Sequence, residues 1–148
     1  MNSNVIRWLA VTFALFHVYN NWFTAVSELW FAAIHFGGFG ALCALTFHQS
    51  GADAERHRGR EAVNIVLALL SVTVAAYLIG FEDALYVREA EFVASDYIFS
   101  ALAVLLAIEF TRRTSGWFMP VLITISLAYI LFLGRYVPGV FAFPGLSL

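Results

Sequence analysis

The chain has 148 residues, 61% of them hydrophobic and 12% charged, with a mean hydropathy of +0.81 and a formal net charge of −2. A soluble domain of this size has too much surface for its volume to hide so many apolar side chains, so composition excludes one. It predicts instead an all-α integral membrane protein, an antiparallel bundle of four or five transmembrane helices within one domain. All eight basic residues are Arg and sit in loops, forming no extended face, which argues against nucleic acid as a partner.

A spanning helix needs about 20 mostly apolar residues. Five stretches approach that length, near residues 5–23, 29–47, 62–81, 92–110 and 117–133. The first follows Met1-Asn2-Ser3-Asn4 and Arg7 with no small-residue cleavage site after it, so an uncleaved first span is expected. Residues 24–28 allow only a tight hairpin, which makes the first two helices antiparallel neighbours. Ser27 suits the N-cap of the second, with Glu28 in its first turn, where the helix dipole favours a negative charge. Within the second span Gly37 pairs with Ala41 and Gly40 with Ala44 at four-residue spacing. Small residues so spaced let helix backbones approach closely in lipid. Cys43 lies in the same apolar run, alone in the chain, so it forms no internal disulfide. The fourth stretch is the weakest, with Asp96 and Glu109 near its ends, and residues 84–94 before it could lie flat in the interface.

Orientation follows the arginines, since cytoplasmic loops carry the excess of positive charge. Arg56, Arg58 and Arg60 fall between spans two and three, Arg112 and Arg113 between four and five, and Arg7 at the start. Placing these six inside leaves Arg88 and Arg135 outside, with the N-terminus cytoplasmic and the C-terminus external. The loop holding Glu82, Asp83, Glu89, Glu91 and Asp96 is then external.

Two histidines interrupt the first two spans. His17 and His35 each lie six residues from the outer end of their helix, roughly 9 Å deep at 1.5 Å per residue. At matching depth they could be packed, hydrogen-bonded core histidines, with Asn20, Asn21 or a backbone carbonyl as partner. The less expected alternatives are ligation of a metal or haem iron and a pH-sensitive or subunit-facing role. No Gly-x-Ser-x-Gly turn, His-Glu-x-x-His pair or phosphate-binding glycine loop is present, and Gly37-Gly38-Phe39-Gly40 has no strand before it. No enzyme activity is expected. Asn64, Ser71 and Thr73 are scattered, whereas a transport path gathers polar side chains at the midplane. The chain is not expected to carry a substrate unaided.

The last third turns on Glu109, Arg112, Arg113 and Trp117. Glu109 precedes Arg113 by four residues and Arg112 by three, the favourable order for ion pairs on one helix face. Ser115-Gly116 then lets the backbone turn, and Trp117 suits the headgroup level. The residues read as a helix-end anchor or a subunit interface.

From Glu109 onward the chain resembles one family. Glu109-Phe110-Thr111-Arg112-Arg113-Thr114-Ser115-Gly116-Trp117-Phe118-Met119-Pro120, an apolar helix, Gly134-Arg135-Tyr136-Val137-Pro138-Gly139 and Pro144-Gly145-Leu146-Ser147-Leu148 resemble the N-terminal region of fused permeases of TAXI-type tripartite ATP-independent periplasmic (TRAP) transporters. Phe16-His17-Val18-Tyr19 and Ala33-Ile34-His35 are similar to the family's first two helices, and Phe110 stands where Ala is commoner. The resemblance implies a small membrane (Q) component. Its partners would be a large membrane (M) subunit or fused domain, which holds the substrate and sodium sites, and a periplasmic TAXI substrate-binding protein. It further implies uptake of organic acids across a bacterial or archaeal cytoplasmic membrane, with no cofactor in this chain. Glu82, Asp83, Glu89 and Glu91, and the tail from Arg135 to Pro138, are then candidates for docking the binding protein. The alternative from another class is a haem-binding, respiratory-type membrane subunit that uses His17 and His35.

Overall fold

Helices form where the apolar runs lie. The computed structural model describes residues 3–46, 54–88 and 91–142, and among these the chain is all-α, with no strand. Six α-helices follow one another: α1 (Ser3–Phe23), α2 (Glu28–Thr46), α3 (Ala54–Gly80), α4 (Glu82–Arg88), α5 (Ala94–Ser115) and α6 (Phe118–Ala128). A widened π turn, Tyr129–Leu133, and a tight 3-10 turn, Gly134–Tyr136, continue α6. Among the described residues, four helical runs are long and apolar enough to cross a membrane, Glu28–Thr46, Gly59–Gly80, Ala94–Ser115 and Phe118–Tyr136. The fourth stretch is therefore a full candidate span. α1 has the length, but Arg7, His17, Asn20 and Asn21 dilute its apolar content and it is not among the four.

Boundaries move for local reasons. α3 begins eight residues before the apolar run, because Ala54, Glu55, Arg56 and Arg58 are good helix formers that need no lipid to stay helical. Residues 84–94 do not form one interfacial helix: α4 is a separate seven-residue helix, and α5 starts at Ala94. Phe47, the expected end of the second span, and the tail Pro144 to Leu148 lie outside the described residues.

The chain divides into two compact units, Met1–Ala107 and Ile108–Leu148. In the first, the main packing is α2 against α3. Ala33, Gly37, Gly40 and Ala44 form the buried stripe of α2, and Ala68, Ser71, Val74, Ala75 and Tyr77 are buried on α3. Ala41 is only half-buried, and Ala33 takes its place in the stripe. The helices meet so closely that a Cβ added to Gly37 would lie 2.6 Å from the Ala75 Cβ and 3.2 Å from the Ser71 carbonyl oxygen. The Ser71 hydroxyl lies 2.9 Å from the Ala68 carbonyl and 3.2 Å from that of Gly37, so the polar atom at the contact is satisfied by backbone. In lipid, where apolar burial between helices gains little, such close backbone approach is what holds a pair together.

α1 meets α2 more lightly. Phe13 packs edge-on against Phe39 with ring centroids 5.3 Å apart, and its ring fills the space beside Gly38 that a Cβ would need. The hairpin between them is tied by Asn20, which is buried and accepts the Val26 N–H at 3.0 Å. Ser27 Oγ accepts the Trp30 N–H at 3.2 Å, an N-cap bond to the third residue of α2. Thr24 sits in the left-handed region at φ +48°, where a β-branched side chain crowds its own backbone. Thr24→Gly is therefore expected to stabilise the chain by about 1 kcal/mol. Denaturation in detergent measures this, and an unchanged midpoint would show that the turn stores no strain.

In the second unit, α5 ends where Gly116, at φ +72°, donates its N–H to the Arg112 carbonyl at 3.1 Å. That is a left-handed C-terminal cap, and glycine adopts it without steric cost. Pro120 is in the first turn of α6, where a missing N–H breaks no helical bond.

Candidate functional site

Ionisable side chains in an apolar helix are costly and need partners, so they mark where such a chain has been built for something. The first cluster centres on Asp96, in the first turn of α5. Its side chain is only 4% exposed, unlike Asp83 and Glu91 of the same acidic loop. Oδ1 accepts the Tyr77 hydroxyl at 2.5 Å, and Oδ2 accepts the Val93 N–H at 2.9 Å. Tyr77 Oη also lies 2.9 Å from Ser95 Oγ, and the Tyr77 ring stacks on Phe99 at 3.9 Å with planes 9° apart. Arg88, at the end of α4, places Nη1 3.4 Å from Asp96 Oδ2 and donates from Nε to the Ala84 carbonyl at 3.0 Å. Its Nη2 is buried with no hydrogen-bond partner among the described residues. One carboxylate thus ties the ends of α3, α4 and α5 together. A nearby tie joins the α1–α2 hairpin to α4, where Ser27 Oγ donates to Glu82 Oε1 at 2.6 Å.

Sequence reasoning missed this cluster because Asp96 was grouped with the acids before it. The available signal was its place three residues after Val93, at the start of an apolar helix. From there a short carboxylate reaches back to the N-cap N–H.

His17 and His35 come together. His35 Nδ1 lies 3.0 Å from His17 Nε2, and His17 Nδ1 lies 2.8 Å from the Phe13 carbonyl. A carbonyl only accepts, so with both rings neutral His17 donates from Nδ1, takes the His35 Nδ1–H at Nε2, and leaves His35 Nε2 as an acceptor. Phe13, Phe16, Phe31 and Phe39 surround the His17 ring, at centroid distances from 4.9 to 5.5 Å. Of the partners foreseen, the backbone carbonyl serves His17, while Asn20 is used in the hairpin. Among the described residues, no group of three or more His, Cys, Asp or Glu is placed to hold a metal ion.

The second unit brings Glu109, Arg112, Arg113 and Trp117 together. Arg112 grips Glu109 with two parallel bonds, Nε to Oε2 at 2.7 Å and Nη2 to Oε1 at 2.9 Å, the fork geometry of the strongest ion pairs. Arg113 Nε reaches Oε1 at 2.7 Å, with its side chain 7% exposed. The Arg112 guanidinium lies over the Trp117 ring, 5.5 Å from its centroid. Arg135, in the tail, stands over the Tyr136 ring at 5.0 Å, and both side chains are exposed.

Of the four acids considered for docking, Glu82 is half-buried and holds Ser27, whereas Asp83 and Glu91 are exposed. Glu89 lies outside the described residues. No family model, curated protein or solved structure matches the chain.

Proposed function

We infer that the chain is a small membrane scaffold subunit of a TAXI-type TRAP secondary transporter. It supports a larger permease subunit in ion-driven uptake of organic acids that a periplasmic binding protein delivers. The observation that carries this reading is how small a share of each candidate span is buried within the chain. Between 11% and 28% of each candidate span is buried within the chain, so most of its apolar helix surface is free for lipid or for another membrane protein. Three polar ties sit toward helix ends, at Ser27, Asp96 and Glu109, and the His17–His35 pair lies within α1 and α2, while the closest contact, between α2 and α3, is made of small residues around Ser71. Such a chain offers rigid faces and leaves substrate and sodium sites to the permease. The Glu109 to Pro120 run and the tail after Gly134 supply the family resemblance. The excess of arginine supports a cytoplasmic N-terminus and an external C-terminus.

Purification in mild detergent from the source membrane, followed by mass spectrometry, is expected to recover one polytopic permease in constant ratio with this chain. Changing Glu82, Asp83, Glu89 and Glu91 to Gln is expected to weaken uptake while membrane insertion is kept. A chain recovered without a polytopic partner, or one that moves solute by itself in vesicles, would remove the scaffold reading. Unchanged uptake would remove the docking role of the acids alone.

The second reading, a haem-binding membrane subunit, would require His17 and His35 to part, because they lie 3.0 Å apart in one hydrogen bond that leaves no room for an iron between them. A Soret band in the purified protein, lost on changing either histidine, would establish it.

A further inference from the structure

The geometry points to a binding site for one anionic phospholipid at the α5–α6 turn, with Arg112 taking the headgroup phosphate and an adjoining apolar groove taking an acyl chain. Two features meet there. The first is charge: two guanidinium groups share the single carboxylate of Glu109, which leaves one net positive charge at the helix end. Only two of the five N–H donors of Arg112 go to Glu109, and its side chain is 30% exposed. The second is shape. A groove of about 190 Å³ runs beside the cluster, lined by Ile108, Trp117, Pro120, Val121, Thr124 and Ile125. Its one hydroxyl, on Thr124, is given to the Pro120 carbonyl at 2.8 Å, so that group is already satisfied where a hydrocarbon chain would lie.

Trp117 belongs to both features, with Arg112 over its ring and its side chain forming the groove's end. From Trp117 to Ile125 the groove follows a little over two helical turns, about 12 Å along α6. A cationic head joined through an aromatic ring to a hydrocarbon slot is complementary to an anionic phospholipid. A zwitterionic lipid carries its own ammonium to the same place and gains less. A peptide or soluble anion would use only one of the two features.

The test uses the full chain with Trp8, Trp22 and Trp30 changed to Phe, which leaves Trp117 as the only tryptophan. It is placed in phosphatidylcholine vesicles containing phosphatidylglycerol, with bromine on the acyl chains of one lipid or the other at equal mole fraction. Brominated phosphatidylglycerol is expected to occupy the site next to Trp117 about fivefold more strongly than brominated phosphatidylcholine, the preference one net positive charge supports at a membrane surface. Arg112→Gln should bring the two lipids toward parity, and Glu109→Gln should raise the preference. The Glu109 variant breaks the same ion pair yet moves the result the other way, so loss of local structure cannot mimic the pattern. Equal quenching by the two lipids in the parent chain, or a preference that Arg112→Gln leaves intact, would overturn the site.

Discussion

Gly37→Ala is expected to lower the stability of the chain by about 2 kcal/mol, because one methyl group has no room between α2 and α3. The added carbon would stand 2.6 Å from the Ala75 Cβ, which is itself fixed on a helix, and 3.2 Å from a backbone carbonyl, so neither neighbour can swing away. The two helices would have to separate along the whole stripe from Ala33 to Ala44. The same substitution in the Ala75→Gly background removes the colliding atom. The double variant should then recover most of the loss, since it exchanges one helical glycine for another and leaves only the 3.2 Å approach to the Ser71 carbonyl. Denaturation in detergent, followed by helical circular dichroism, reads all four members of the cycle. Additive losses would show that Gly37 and Ala75 are not in contact.

Asp96→Ala is expected to have the next largest effect. It strips the acceptor from the Val93 N–H, leaves the Tyr77 hydroxyl only Ser95 Oγ at 2.9 Å, and removes the carboxylate beside Arg88. A buried donor left without a partner costs more than its bond contributed, so the folded-to-unfolded ratio should fall at least about tenfold. Asp96→Asn keeps one carbonyl oxygen and should fall between the two. Combining Asp96→Ala with Arg88→Met removes the stranded cation and should be milder than Asp96→Ala alone, because deleting both members of a buried pair is far less harmful than deleting one. If Asp96→Ala matched the parent within error, the tie between α3, α4 and α5 would be ornamental.

What the sequence revealed and what it hid divide along physical lines. Apolar runs of spanning length could be read directly, because a lipid-facing helix must be apolar around most of its circumference. The Glu109, Arg112 and Arg113 ion pairs could be read too, since i,i+3 and i,i+4 spacing on one helix fixes who meets whom. Contacts between helices could not. The stripe on α2 was visible as a pattern of small residues. Whether Ala33 or Ala41 completed it depended on the angle at which α3 crosses, which spacing along one helix does not encode. Asp96 shows the same limit from the polar side. Its burial is set by Tyr77, nineteen residues earlier on another helix. His17 and His35 could be placed at equal depth by counting, but not in register around their helices, which their 3.0 Å separation reveals.

That imidazole pair has a polarity. With both rings neutral and the Phe13 carbonyl at one end accepting a hydrogen bond, every nitrogen down the line is assigned, and the far end, His35 Nε2, meets its surroundings with a lone pair. A neighbouring transmembrane segment laid across α2 at that level must answer with an N–H or O–H. A bare carbonyl or a thioether there would set electron density against electron density.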